Sequence, residues 1–122
     1  MIFTSYFGNF KNIKNPVSIC GKAPDFYKGP QYKKLAPKYS FFRDYKDGKI
    51  GEQEYTELYR EQVLNHLNAN DVVKDIESFY PNDDVTLICY EKPGDFCHRH
   101  IVAEWLIENG FQSEELKKEL KK

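Results

Sequence analysis

The sequence contains no apolar run approaching the ~20 residues of a membrane span, and no charged-then-apolar leader pattern near its start. Both absences lead to the expectation of a cytoplasmic protein with no membrane partner. Cysteine is scarce: there are three, an odd number that does not suit a closed disulfide framework. With no secretory signal beside them, the expectation is reduced thiols. Internal repeats and low-complexity tracts are missing as well. What remains is 122 residues, read as one α/β domain over 1–122. A chain of that length buries roughly two-thirds of its extended surface and needs no covalent staple.

Aromatic residues are plentiful, at 16 % with nine Tyr and nine Phe, which suggests flat side chains both in the core and on a working surface. The net charge of −1 hides an asymmetry. Residues 11–49 carry ten Lys or Arg against three acids, or +7; residues 50–122 carry eight against sixteen, or −8. Phe26, Tyr27, Tyr32, Tyr39, Phe41, Phe42 and Tyr45 interleave the basic half. Basic groups beside stacking faces suit a phosphate-bearing ligand or a single-stranded nucleic acid. A lysine-rich surface whose aromatics point inward accounts for the same pattern.

Along the chain, Ile2–Phe7 and Val17–Cys20 read as short strands. Gly21, Pro24, Gly29, Pro30 and Pro37 punctuate a long loop with a helical turn around 32–35, and a loop of that length is often functional. Tyr39–Lys46 reads as a short helix before the Asp47-Gly48 turn. A longer amphipathic helix spans 51–67, with acids in its first half where the helix dipole favours them. Asn70 or Asp71 is read as the cap of the next helix, with Val72, Val73, Ile76, Phe79 and Tyr80 on its apolar face. Val85–Tyr90 is a continuous apolar run, the pattern of a strand covered on both faces. Residues 92–95 form a loop, with Asp95 capping a helix over 96–109 that Gly110 ends. Residues 111–122 read as a short amphipathic helix or a tail. The order β-β-α-α-β-α predicts an α/β fold: a small three-layer domain whose mainly parallel sheet is flanked by helices.

Leu87-Ile-Cys-Tyr-Glu-Lys-Pro-Gly-Asp-Phe-Cys-His-Arg-His100 concentrates the chemistry. It gathers two cysteines, two histidines, Arg99 and Glu91 at a strand-to-helix junction, where α/β folds place ligands. With Asp95 as cap, Cys97 falls in the first helical turn, and the unpaired N–H groups there favour a thiolate or a bound anion. Cys97 is therefore the candidate nucleophile. Arg99 and His98 stand beside it as cations, and Glu91 is a candidate base or the ion-pair partner of Arg99. Cys89, inside the strand, is either a small core residue or a resolving thiol. Cys20 approaches the site if the sheet is parallel, and His66 is structural. A zinc site from Cys89, Cys97, His98 and His100 is a further reading. The spacing C-x7-C-H-x-H fits no usual structural pattern, and His98 and His100 project from opposite sides of the helix. The expectation is no metal and no cofactor. Arg99 stands only two residues past Cys97, so a phosphatase loop of the Cys-x5-Arg kind is absent.

The same stretch resembles the signature of the DUF488 family, in which a strand carrying Cys-x-Glu runs into Cys-His-Arg at a helix start. Phe3-Thr-Ser-Tyr-Phe-Gly8 is similar to that family's first strand, and Leu35-Ala-Pro37 to a middle element. The resemblance implies a small three-layer α/β fold, a bacterial or phage setting, and a site built on Cys89, Glu91, Cys97, His98 and Arg99. Lys33, Arg43 and Tyr6 join Arg99 as candidate substrate-binding residues. The function expected is a thiol-dependent enzyme acting on an anionic or nucleotide-like substrate. The alternative is a nucleic-acid-binding module that uses residues 11–49, with the Cys/His cluster structural or metal-binding.

Overall fold

A computed structural model describes residues 1–92 and 94–116. Four strands form one parallel sheet in the order β2-β3-β1-β4: β1 Ile2–Tyr6, β2 Pro16–Ser18, β3 Val85–Cys89 and β4 Ser113–Glu115. Among the described residues, four α-helices accompany them: α1 Tyr39–Lys46, α2 Glu52–Gln62, α3 Ala69–Glu77 and α4 His98–Glu108. The parallel α/β class is the one expected. The central strand β3 is buried along its whole length, as its unbroken apolar run requires. Its Val85 and Leu87 pack against α2, α3 and α4 through Tyr55, Tyr59, Val72, Ile76, Val102 and Leu106. Ile88 instead joins Phe7, Ile13 and Tyr27, which come from the 3₁₀ turn at Phe7–Asn12 and the long loop. Helices thus cover one layer of the sheet, and a turn and loop cover the other.

Local chemistry explains the boundaries. The cap of α3 is Asn68, not Asn70 or Asp71: its side chain accepts from the Asp71 backbone N–H at 3.1 Å. A cap bonds the third residue inside the helix, so the acid read as the cap is the residue being capped. Phe79 and Tyr80 lie beyond α3, which ends at Glu77. The predicted helix over 51–67 divides into α2 and a 3₁₀ turn at Leu64–His66. The end of α4 is as read: Gly110 has φ +91°, its N–H bonds the Ile107 carbonyl, and the Phe111 N–H reaches back to Leu106. Those paired bonds form a Schellman motif, which favours glycine at that position. Gly8 is required for a different reason. A Cβ there would stand 2.6 Å from the Tyr6 ring.

Two corrections bear on the site. The start of α4 is capped by Cys97 rather than Asp95, and the Cys97 side chain makes no capping hydrogen bond. Residues 113–115, inside the stretch read as helix or tail, form the edge strand β4, which pairs with β1 as Ile2↔Ser113, Phe3↔Glu114 and Thr4↔Glu115. Residues 117–122 of that stretch, and Pro93 of the 92–95 loop, lie outside the described residues. Among the described residues, no helix is long and apolar enough to cross a membrane.

Candidate active site

Because β1, β2 and β3 run parallel, their carboxyl ends open on one side, where ligands bind in sheets of this kind. A cavity of about 680 Å³ lies there, bordered by Cys20, Lys22, Tyr39, Phe42, Lys46, Cys89, Tyr90, Glu91 and His98. Cys89 is the last residue of β3, in register with Tyr6 of β1. Cys20 follows β2 and borders the same cavity, as a parallel sheet allows. Tyr39, Phe42 and Lys46 stand at i, i+3 and i+7, one face of α1. The long loop thus ends by delivering an aromatic and basic wall.

Cys89 and Cys97 are joined through their sulfurs, and Cys20 is the free cysteine. The sequence led to reduced thiols throughout. The fold instead brings the end of β3 and the cap of α4 together, which a spacing of eight residues in the chain does not reveal. His98 is buried: its Nε2 lies 2.8 Å from the Ile19 carbonyl oxygen, and its Nδ1 lies 3.8 Å from Cys97 Sγ. A carbonyl only accepts, so Nε2 carries the proton and Nδ1 of the neutral ring is free to accept. Burial is the main force that pushes the His98 pKa down, to about 4. Burial also lowers His100 and raises Cys20.

Arg99 is fully buried. Its Nε and Nη2 donate to the two carboxylate oxygens of Glu115, at 3.0 and 2.9 Å. Its Nη1 donates to Cys89 Sγ at 3.2 Å and to the Glu91 carbonyl at 2.5 Å. The Tyr6 ring covers the guanidinium at 5.9 Å. A bidentate carboxylate fixes the plane of a guanidinium, so one N–H is aimed at the Cys89 sulfur. Thr4 Oγ1 donates to the same Glu115 carboxylate at 2.6 Å.

Several residues therefore stand elsewhere than the sequence suggested. The cation that touches sulfur touches Cys89, whereas Cys97 faces His98. Glu91 does not pair with Arg99 through its side chain; its carboxylate takes Lys46 at 3.1 Å on the cavity rim. Arg99 has no free face for a substrate, and Tyr6 packs on Arg99. Lys33 borders a separate depression of about 520 Å³ with Lys34, Lys38 and His66. Arg43 is exposed and bonds Asp47 and the Tyr39 hydroxyl at 2.7 Å. His100 is not part of the cluster: Cys89, Cys97 and His98 bring their ligand atoms within 4.8 Å of one another. The basic half is partly neutralised by the chain's own acids, as in Lys14–Asp83 and Lys46–Glu91. Its aromatics divide, with Tyr27, Tyr32 and Phe41 buried and Phe26, Tyr39 and Phe42 exposed.

Glu115 was invisible to sequence reasoning. Ser113-Glu-Glu115 has no apolar alternation, and only pairing to β1 makes it a strand. The wall of α1 did carry a signal, the helical spacing of Tyr39, Phe42 and Lys46.

The DUF488-N3a family model, described as the active DUF488-N3 subclade, matches residues 15–110. That span holds Cys20, Cys89, Glu91, Cys97, His98 and Arg99, while Tyr6 and Glu115 lie outside it. No curated protein matches the chain, and neither does any solved structure.

Proposed function

The chain belongs to the DUF488 family, and on that premise we propose that it is a dithiol enzyme acting on an anionic, nucleotide-like substrate, with Cys89 as nucleophile and Cys97 as resolving thiol. One observation carries the reading: Cys89 borders the large cavity, and its sulfur receives a buried guanidinium N–H. A cation at hydrogen-bond distance stabilises the thiolate over the thiol. Cys97 borders a crevice of only about 20 Å³, too small for a substrate, and is within reach of His98 Nδ1.

The chemistry follows from that arrangement. The Cys89 thiolate attacks an electrophilic sulfur or oxygen of the substrate; the new bond to Cys89 Sγ forms, and the leaving group departs with the electron pair and takes up a proton. The Cys97 sulfur, held beside His98 Nδ1, attacks Cys89 Sγ, and its thiol proton passes to the departing fragment. The disulfide forms and the attached fragment leaves with its electron pair. The cysteines lose two electrons and the substrate gains two; an external dithiol restores the reduced pair. Lys22 and Lys46 supply charge for an anion, and Tyr39, Phe42 and Tyr90 supply faces for a flat ring.

The test is the pH dependence of iodoacetamide alkylation of the reduced protein, resolved by mass spectrometry for each cysteine. Cys89 is expected to label first, with an apparent pKa below about 8.5. Cys20, whose thiol pKa is raised by burial, serves as the slow internal reference. In Cys97→Ser, a mixed disulfide formed with a small aromatic disulfide reagent at Cys89 is expected to persist instead of resolving. Preferential labelling of Cys97, or labelling of Cys89 no faster than Cys20, would overturn the assignment.

A further inference from the structure

Three side chains of the site share a property that dithiol chemistry does not use. Cys89 Sγ, Cys97 Sγ and His98 Nδ1 converge at one buried point. They come from the end of β3, the cap of α4 and its first residue. The His98 ring is held by its other nitrogen on the Ile19 carbonyl at 2.8 Å, the outer contact that fixes a metal-binding imidazole and leaves the remaining nitrogen as donor to an ion. Arg99 Nη1 on Cys89 Sγ performs the matching task for a thiolate. From these contacts we infer that the reduced Cys89, Cys97 and His98 form a binding site for one thiophilic divalent cation of the zinc class.

The distances fit such an ion. Tetrahedral zinc, with bonds of about 2.3 Å to sulfur and about 2.0–2.1 Å to nitrogen, places a sulfur and a nitrogen ligand roughly 3.6 Å apart. Cys97 Sγ and His98 Nδ1 are 3.8 Å apart. The Cα atoms of Cys89 and Cys97 are 7.5 Å apart. Reduction releases the two sulfurs from one another, so that they part to hold an ion between them. The charge also closes. Two thiolates neutralise the dication, and Glu115 neutralises Arg99, so no net charge is left buried. Two thiols and one imidazole select a soft, tetrahedral ion over magnesium or calcium. Cys89 and His98 both border the cavity, so a fourth ligand approaches from that side, the open arrangement of a catalytic or exchangeable site rather than a closed structural one. Binding releases the two thiol protons and occupies Cys89. The ion and free thiol chemistry therefore exclude one another at this site.

The inference does not require the dithiol reaction to occur, and its test keeps the two apart. The full chain is reduced, stripped with a chelator and titrated anaerobically with Co(II). The expected result is one Co(II) per chain, with thiolate-to-cobalt charge-transfer absorption and the visible bands of a tetrahedral ion, both erased by one equivalent of Zn(II). Cys89→Ser and Cys97→Ser are each expected to weaken binding at least tenfold and to reduce the charge-transfer intensity by about half. Cys20→Ser, which leaves the three ligands in place, is expected to bind as the parent does. Far-UV circular dichroism of each apo variant separates lost ligation from lost folding. Absence of thiolate charge transfer at stoichiometric Co(II), or binding that survives both serine variants, would overturn the site. Fast alkylation of Cys89 in the metal-free protein with no Co(II) binding rejects only the metal site. Tight Co(II) binding beside slow metal-free alkylation supports it and rejects only the dithiol reading.

Discussion

His98 shows how one residue's position sets its chemistry. An ordinary imidazole titrates near 6.5; burial drives this one to about 4, against the partly opposing bond from Ile19. The sign of its effect on stability follows from proton linkage. Above pH 6.5 the ring is neutral in both folded and unfolded chains, and its contribution is fully present. Between about 6.5 and about 4 the unfolded chain binds the proton that the folded one refuses, so stability falls as pH falls. The loss expected between pH 7 and pH 5 is about 2 kcal/mol in the metal-free protein. Urea midpoints at the two pH values, compared with those of His98→Gln, measure it; the variant is expected to lose most of the slope. A slope unchanged in the variant would assign the pH dependence to the carboxylates instead. His98 was legible as a candidate because it sits between Cys97 and Arg99. Its role was not, since the Ile19 carbonyl that fixes its tautomer lies 79 residues away.

At the scale of elements, β4 and α4 are joined by one ion pair. Glu115 lies on the sheet edge, where Thr4 and Arg99 both hold its carboxylate. Arg99 is wholly buried and Glu115 only partly exposed. Removing the acid leaves the guanidinium without its counter-charge, a change that costs roughly 3–5 kcal/mol in fully buried pairs. Glu115→Ala is therefore expected to lower stability by about 3 kcal/mol, read by urea denaturation. The same variant is expected to slow alkylation of Cys89, because the N–H aimed at its sulfur loses its fixed plane. Lower stability with unchanged Cys89 reactivity would reject the positioning role. The helix α4 itself was readable from its buried Ile101, Val102, Trp105 and Leu106 and from Gly110. Its first residue was not, because Asp95 has the chemistry of a cap while Cys97 occupies the place of one.

Across the whole molecule, the cysteine pair closes a short loop, whereas the core rests on other residues. Leu87, Tyr59, Ile76 and Leu106 are fully or almost fully buried in the larger apolar cluster, which contains neither Cys89 nor Cys97. The pair is only eight residues apart in sequence, and a loop of 15 residues is worth about 3 kcal/mol by chain entropy. Reduction is accordingly expected to keep the far-UV circular dichroism spectrum and to cost less than about 3 kcal/mol. That outcome leaves a folded dithiol on which both the thiolate and the metal site depend. Unfolding on reduction at 25 °C would reject it.

The sequence alone determined the parallel α/β class, the central strand, most helices and where the Cys/His cluster falls in the chain. Each is written in local pattern: an unbroken apolar run, helical spacing, a glycine at a helix end, and clustered polar chemistry at a strand-to-helix junction. Tertiary structure alone decided which cysteine borders the large cavity, which sulfur Arg99 touches, and that Cys89, Cys97 and His98 meet. Those facts depend on Glu115, Ile19 and Tyr6, which reach the site only when β1, β2 and β4 assemble around β3. The physical reason is distance along the chain: hydrogen bonds and ion pairs between remote residues leave no periodicity to read.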